Sequence, residues 1–414
     1  MMPDKRKEGF TNVMDYPRIH RTLFLYFRYL GLSVLLLTGC TSIGPRQIHL
    51  DRARYNDIVR ETDNAQVLKN LVRLRYLEPT SHLKVTSVTA SYSLNSALSG
   101  NVNWPVDRNT TDTGSTIPTV GVAVAPSVSY TDSPTISYVP IDSADFVASL
   151  LQPINFKQLV LLFHGGIHDH QLIMRVVINR LGELNNASFA TGTNSTDISP
   201  IDHYEYKKFL HFITLLQKML HEKTVRIETI NYQKQLGLII HFNSPYSRDA
   251  LALKALLKVP QNSPDIAIMD TDIATSTVNH AGFITIAKTA PAKNVVFARL
   301  RSVYGIMLFL SHAVQVPEED VKANLVKITK DTQGRCFDWK PLLQGIMRIY
   351  SSNKEPLDAF VKTRYNGHWF FIRASDHNSK ITFALLVRLT ALTAGLDGNS
   401  QAAPVLTLPV NAGH

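Results

Sequence analysis

The 414-residue sequence predicts an α+β chain. Three observations carry that expectation. Helical hydrophobic periodicity dominates near the start, strict period-two alternation fills a long stretch from residue 83 to 139, and helices and strands then interleave to the end. The fold expected is therefore N-terminal helices, a long amphipathic β-hairpin region, and a mixed helix/strand C-terminal part. Apolar residues make up 44 % of the chain and charged ones 18 %, which suits a packed core and argues against dominant disorder.

The elements follow in order. Asp51 to Leu77 carries two apolar stripes, Tyr55, Ile58 and Val59, then Val67, Leu68, Leu71, Val72 and Leu74. Glu78-Pro79 ends that helix, because proline disfavours helical backbone at the residue before it. From Leu83 to Pro140 only Lys84, Asp107, Arg108, Asp112 and Asp132 are charged. One face of a first strand reads Val88, Ala90, Tyr92, Leu94, Ser96, Leu98, Gly100, Val102 and Trp104, with Ser, Thr, Asn and Ala at the intervening positions. A second run repeats the pattern with Val120, Val122, Val124, Val128 and Tyr130, because successive strand side chains point to opposite faces. Asp107 to Ser115 is the loop between them, and Thr135 to Val139 a third strand.

Helices are predicted at Ser143 to Leu151, Phe156 to Phe163 and Asp169 to Leu184, the last with Asp169 as its N-cap. Polar, turn-rich residues 191–200 read as a linker between domains at 51–190 and 201–414. Beyond it come a helix from Asp202 to Glu222, a hairpin from Val225 to Asn231 and Leu236 to Phe242, and a helix from Arg248 to Leu257. Strands at Asp265 to Met269 and Phe283 to Lys288 precede an apolar helix expected from Val295 to Val314. Phe360 to Arg373 is the clearest hairpin, since Asn366-Gly367 suits a two-residue type I′ turn. The helix from Lys380 to Ala394 is apolar nearly all round and so buried, and Pro404 to Val410 closes as a strand.

The N-terminus reads as an address. Six basic residues in 1–39 precede the apolar run from Tyr29 to Leu37, the layout of a secretory signal peptide. A spanning helix needs about 20 apolar residues, and reaching that length here would draw Arg28 into the bilayer at about 2.5–3.5 kcal/mol. Leu37-Thr38-Gly39-Cys40 resembles the bacterial lipobox, in which the preceding peptide is removed and the cysteine is acylated. That resemblance makes 1–39 a lipoprotein signal peptide, Met14 a second candidate start, Cys40 the lipidated residue and 40–50 a tether. The membrane lipid partner is then reached through acylated Cys40. Thr41, in place of aspartate, implies the outer membrane, with most of the chain in the periplasm.

Composition and motifs exclude more than they select. Net charge is +10, with six basic and three acidic residues in the leader, leaving +7 on the rest. No Lys/Arg block exists beyond Lys5 to Lys7, so the charge reads as a solvated surface and no nucleic-acid partner is expected. Cys40 and Cys336 are the only cysteines, which rules out cysteine-built metal sites. His164-Gly165-Gly166 after an apolar run suggests an esterase oxyanion hole, but no Gly-x-Ser-x-Gly elbow accompanies it. His164, His168 and His170 cluster without a His-Glu-x-x-His pattern, so no metal, cofactor or catalytic residue is assigned. In the C-terminal hairpin, pairing across Asn366-Gly367 sets Arg364 against Trp369 and Tyr365 against His368, so Arg364, His368 and Trp369 are candidate binding residues with a cation-π contact between the first and last.

Several patches are similar to an uncharacterised family of proteobacterial outer-membrane lipoproteins: Gln66 to Tyr76, Tyr130 to Tyr138, Arg364 to Phe370, Ser379 to Phe383 and Pro404 to Pro409. That resemblance implies an address and no activity. The expected function is a structural or interaction role in the envelope. Strand residues Val88, Tyr92, Leu94, Leu98, Trp104, Val120, Val122, Val124 and Tyr130 would face either the membrane or a partner. One version is an oligomeric pore or secretion-complex component, in which copies of the chain contribute hairpins to one ring. Another keeps the hairpin half-buried in a soluble sheet. The alternatives are an envelope-glycan or lipid binding protein, and a hydrolase acting through His164 or the region of His368.

Overall fold

The structure, a computed structural model, describes residues 43–89, 92–103, 121–132, 135–141, 143–164, 169–187, 190, 197–198, 200–232, 235–270, 277–278, 284–285, 293–331, 333–395 and 406–409. Cys40, Trp104, Val120 and His168 lie outside them, as do the signal peptide and most of the expected linker. The chain divides into two compact units, residues 1–60 and 61–414. In the first, the described residues belong to helix α1 (Ile43–Arg75) and carry an exposed Arg60–Asp57 pair at 3.2 Å. The second holds the described strands and a single continuous core from Leu68 to Leu389, and it is α+β.

Helix α1 buries Leu68, Leu71, Val72 and Leu74. It ends where Leu77 turns to a φ of 62° and the Glu78 amide returns to the Arg73 carbonyl at 2.9 Å, a Schellman closure followed by Pro79. Two amide side chains on this helix then act as surrogate strand partners. Gln66 exchanges hydrogen bonds with the Leu83 backbone (2.9 and 3.0 Å), and Asn70 does the same with Ser81 (2.8 and 3.1 Å).

Strand β1 (Leu83–Thr89) pairs with β4 (Thr135–Pro140), and between them in sequence come β2 (Tyr92–Asn103) and β3 (Gly121–Asp132). The single expected strand from Val88 to Trp104 is thus two. β1 belongs to the β4 sheet, whereas β2 pairs with β3 over twelve consecutive residues, from Tyr92 opposite Asp132 to Asn103 opposite Gly121. Helices α2 (Ala144–Leu151), α3 (Phe156–His164) and α4 (His170–Val177) follow. Asp169 caps α4 as expected, its carboxylate accepting from the Leu172 amide at 2.9 Å. The helix stops at Val177, seven residues short of the expected end, because Ile178 to Leu181 is drawn into a sheet as β5. The β-branched run Val176-Val177-Ile178 favours that change of backbone.

That sheet is the organising layer. It contains β5, β6 (Leu184–Asn185), β7 (Val225–Tyr232), β8 (Gln235–Phe242), β9 (Asp265–Asp270) and β10 (Val295–Leu300), in the order β6-β5-β10-β9-β8-β7. Only β9 and β10 run parallel. Gly237 in β8 is required, since a Cβ there would collide with Met269 and lie 2.8 Å from the Ile268 carbonyl. The helix expected from Val295 to Val314 is instead β10 followed by α7 (Val303–Ser311), capped by Ser302. An apolar run alone does not distinguish a buried strand from a buried helix. Helix α5 (Pro200–His221) packs on β6 and β7 of the sheet, α6 (Arg248–Leu256) packs on α5, and α5 also packs on α4 across the expected linker.

Among the described residues the core also holds three buried cations, each hydrogen-bonded to main-chain carbonyls, although the Nε atoms of Arg175 and Arg301 have no partner. Arg301, 2 % exposed, donates to the carbonyls of Arg175 (2.9 Å), Val176 (2.8 Å) and Asn186, and lies 4.5 Å over Phe309. Two of those acceptors sit in the last turn of α4, where helix carbonyls lack intrahelical partners, so a buried cation fits there. Burial still lowers its pKa to about 9. Arg175 reaches the Leu342 and Gln344 carbonyls at 3.0 Å, and Lys254 those of Pro245 (2.6 Å) and Gln261 (2.9 Å).

After α8 (Glu318–Lys322) and α9 (Lys340–Leu343), β11 (Tyr350–Ser352), β12 (Ala359–Tyr365) and β13 (His368–Arg373) form a sheet in the order β11-β13-β12. Helix α10 (His377–Gly395) packs on α2 and α7, and β14 (Leu406–Pro409) completes the β1-β4-β14 sheet.

Candidate functional site

The β2–β3 ribbon brings six of the nine expected strand residues into one register. Leu94 stands opposite Tyr130, Leu98 opposite Pro126, Gly100 opposite Val124 and Val102 opposite Val122, while Asn95 meets Ser129 and Asn101 meets Ala123. Directly opposed residues in an antiparallel pair share a face. The two apolar sets read from the sequence therefore fall on one side, and the Ser, Asn, Thr and Ala positions on the other. Between Ser93 and Thr131 the paired residues include no Asp, Glu, Lys or Arg. Tyr92 opposes Asp132 at the ribbon's base, and Val88 lies elsewhere, opposite Ile136 in the β1–β4 pair. Among the described residues the ribbon has no third strand.

The C-terminal hairpin adopts the expected register, with Arg364 opposite Trp369 and Tyr365 opposite His368. Asn366 and Gly367 have φ of 45° and 82°, the left-handed pair a type I′ turn demands. The candidate side chains separate there. Arg364 is exposed, and the cation found over Trp369 is Lys362, 5.8 Å from the ring centroid. The reason is lateral: Lys362 stands two residues from the opposed pair on the same face, within reach of a large ring.

His368 is buried, 8 % exposed, and belongs to a lock. Its Nδ1 lies 2.7 Å from Asn353 Oδ1, and its Nε2 lies 3.2 Å from Glu319 Oε1 and 4.0 Å from Asp320 Oδ2. Asp320, 5 % exposed, accepts from the Tyr76 hydroxyl at 2.5 Å and from Asn366 Nδ2 at 3.2 Å. The end of α1, the first turn of α8 and the hairpin tip are thereby tied to one carboxylate. Tyr365 packs edge-on against Tyr76 at 5.0 Å. Burial, reinforced by the bond to Asp320, pushes the Tyr76 hydroxyl far above its ordinary range, and burial with a bond to Glu78 does the same for Tyr365. Both stay protonated donors. The lock contains no activated nucleophile, and its geometry is that of a structural joint.

A cleft of about 750 Å³ opens between the end of α7, the segment around α9 and the start of α10. Its aromatic wall is Trp339, stacked on His312 at 3.7 Å with planes 8° apart, with Phe337 edge-on to Trp339 at 4.9 Å. Burial, then the nearby Arg75 charge, pushes the His312 pKa down to about 3, so the ring is neutral at physiological pH. Nothing in the sequence singled out this site, because His312, Trp339 and Asn378 sit in three separate segments and form no motif.

The remaining candidates are dispersed. His170 stacks on Phe163 at 5.0 Å, and Cys336 is an exposed thiol next to the Arg335–Asp331 pair, 2.9 Å apart. No helix among the described residues is long and apolar enough to cross a membrane. Comparison with protein-family models, curated proteins and solved structures finds no match.

Proposed function

We propose that this protein is a lipid-anchored component of the bacterial outer membrane, held through acylated Cys40, with a structural or interaction role and no catalytic one. In this reading its β2–β3 ribbon assembles with copies of itself into a membrane-embedded ring. The observation that carries the proposal is the ribbon's twelve-pair register, charge-free in the eleven pairs from Ser93–Thr131 to Asn103–Gly121 and apolar on one side only. A transmembrane strand needs about 9–11 residues tilted across the hydrocarbon, with apolar and polar faces alternating. Strands of twelve residues meet that requirement. An isolated two-stranded hairpin is marginal in water, and an open edge in lipid leaves backbone groups unpaired. Copies contributing one ribbon each remove both difficulties by closing the edges on one another. The resemblance of Leu37 to Cys40 to a lipobox supplies the anchor that brings such ribbons to a bilayer, since two or more acyl chains hold a protein stably where one does not.

The test uses the full chain extracted in mild detergent and sized by light scattering, beside versions carrying Val122→Asp and Leu94→Lys. The expected result is an oligomer that both substitutions dissolve while the body stays folded. A wild-type chain that is monomeric under all mild conditions would sink the ring. Mass spectrometry of the mature N-terminus tests the anchor separately, and an unmodified Cys40 thiol would overturn it.

A further inference from the structure

The charges around the cleft cancel. Lys340 and Arg348 line it with Asp338 and Asp376, and most of these groups are already engaged. Asp376 accepts from the Ser379 amide at 3.1 Å and its hydroxyl at 2.7 Å, Asp338 accepts from the Lys340 amide at 3.0 Å, and the Arg348 guanidinium lies 4.5 Å over Tyr350. Apart from the exposed Lys340 ammonium, what the cleft still offers is uncharged. Gln315, Gln344 and Asn378 line it and are exposed, and their side-chain amides make no hydrogen bond among the described residues. Facing them is the aromatic wall of Trp339, His312 and Phe337.

We propose that this cleft is a binding site for a neutral saccharide. A pyranose presents an apolar C–H face, which suits an aromatic wall, and a rim of hydroxyls that donate and accept at once. Each amide side chain likewise carries both a donor and an acceptor group, so three of them match a hydroxyl rim without selecting a charge. The cleft's volume falls within the roughly 300–1,000 Å³ of small-molecule sites. An anionic ligand finds no surplus of cations there. A purely apolar ligand would strip water from three amides and return no partner. The cleft is lined by residues of 312–379, apart in sequence from the ribbon, and its binding does not depend on the ring.

The experiment is calorimetric titration of the full detergent-solubilised chain with cellotriose, chitotriose and maltotriose, and with inorganic phosphate and trialanine as competing chemistries. The expected result is saturable binding of at least one trisaccharide and of neither competitor. Replacing Gln344 and Asn378 together by Ala should weaken it about tenfold, the loss of two neutral hydrogen bonds, while Tyr204→Phe, an exposed aromatic outside the cleft, leaves it unchanged. Both replaced residues are exposed, so the fold persists. Absence of saturable trisaccharide binding overturns the proposal, as does binding that ignores the double substitution or a preference for phosphate or peptide.

Discussion

The β2–β3 ribbon and the β12–β13 hairpin are both antiparallel pairs joined by one connection, yet they meet the demands of a strand pair in opposite ways. The hairpin has a third strand in β11, buries Phe370 and Ile372 in the core, and packs Phe360 edge-on against Phe383 of α10 at 6.2 Å. Its tip is fastened by a buried carboxylate. The ribbon has twelve pairs, no charge along most of its length and, among the described residues, no third strand. Equal secondary structure therefore conceals unequal sources of stability. The hairpin is completed by its own chain, whereas the ribbon's edges would, on the function proposed above, be completed by other copies of the chain.

Breaking the hairpin's lock should give the largest effect. Asp320→Ala leaves the Tyr76 hydroxyl and the Asn366 amide without their shared acceptor and removes the carboxylate 4.0 Å from His368 Nε2. A loss of about 3 kcal/mol is expected in urea unfolding, the scale for orphaning buried polar groups. Val122→Asp on the ribbon should instead change unfolding of the body by no more than about 0.5 kcal/mol, and register in assembly. Comparable losses from both would erase the distinction drawn between the two regions.

Acid offers a second way to separate them. His312 titrates near 3 when folded and near 6.5 when unfolded, so between those values the unfolded chain binds the extra proton. Stability should fall as pH drops from 6.5, by up to about 1.4 kcal/mol per unit and roughly 2 kcal/mol by pH 4.5. His312→Phe, which keeps a ring against Trp339, should remove that slope. The described strands of the ribbon contain no histidine and a single carboxylate, Asp132, so acidification should act on the body first. A slope untouched by the substitution would place the acid-sensitive group elsewhere.

The hairpin turn should respond next. Gly367 has a φ of 82°, and a Cβ built there meets nothing within 4 Å, so Gly367→Ala is resisted by backbone strain alone. A cost of about 1 kcal/mol in thermal or urea unfolding is expected, without loss of the fold.

These regions were also legible to different degrees. The ribbon's faces and the hairpin's register are local patterns, alternation in one case and Asn366-Gly367 in the other, and both appear in the structure at the expected positions. The division into β1, ending at Thr89, and β2, starting at Tyr92, was not legible, since Val88 to Trp104 alternates without interruption although Val88 serves another sheet. Apolar runs misled where a buried strand and a buried helix look alike, as at Val295 to Leu300. The lock was invisible for a different reason. Glu318-Glu319-Asp320 reads as an acidic helix start, and only tertiary packing sends Asp320 inward while Glu318 and Glu319 stay exposed. His368, chosen as a binding residue for its aromatic setting, is held between Asn353 and Glu319 beside that carboxylate.

The smallest effect tests the finest point of the comparison, which cation serves Trp369. Direct pairing nominates Arg364, but Lys362 Nζ is 5.8 Å from the ring and also 2.7 Å from Glu355 Oε1. An exposed cation-π contact contributes about 0.5–1 kcal/mol and an exposed ion pair about 0.2–1 kcal/mol, and one ammonium cannot realise both in full. Lys362→Met keeps the apolar stem and removes the charge, so its cost should be close to 0.5 kcal/mol and shrink in high salt as the Glu355 share is screened. Arg364→Ala should fall within about 0.3 kcal/mol of the parent, since an exposed side chain away from any such contact has little to lose. Denaturant midpoints measured at low and high ionic strength resolve the two. If Arg364 proved the costlier loss, direct opposition would govern this face of the hairpin, and the diagonal contact of Lys362 would carry no stability.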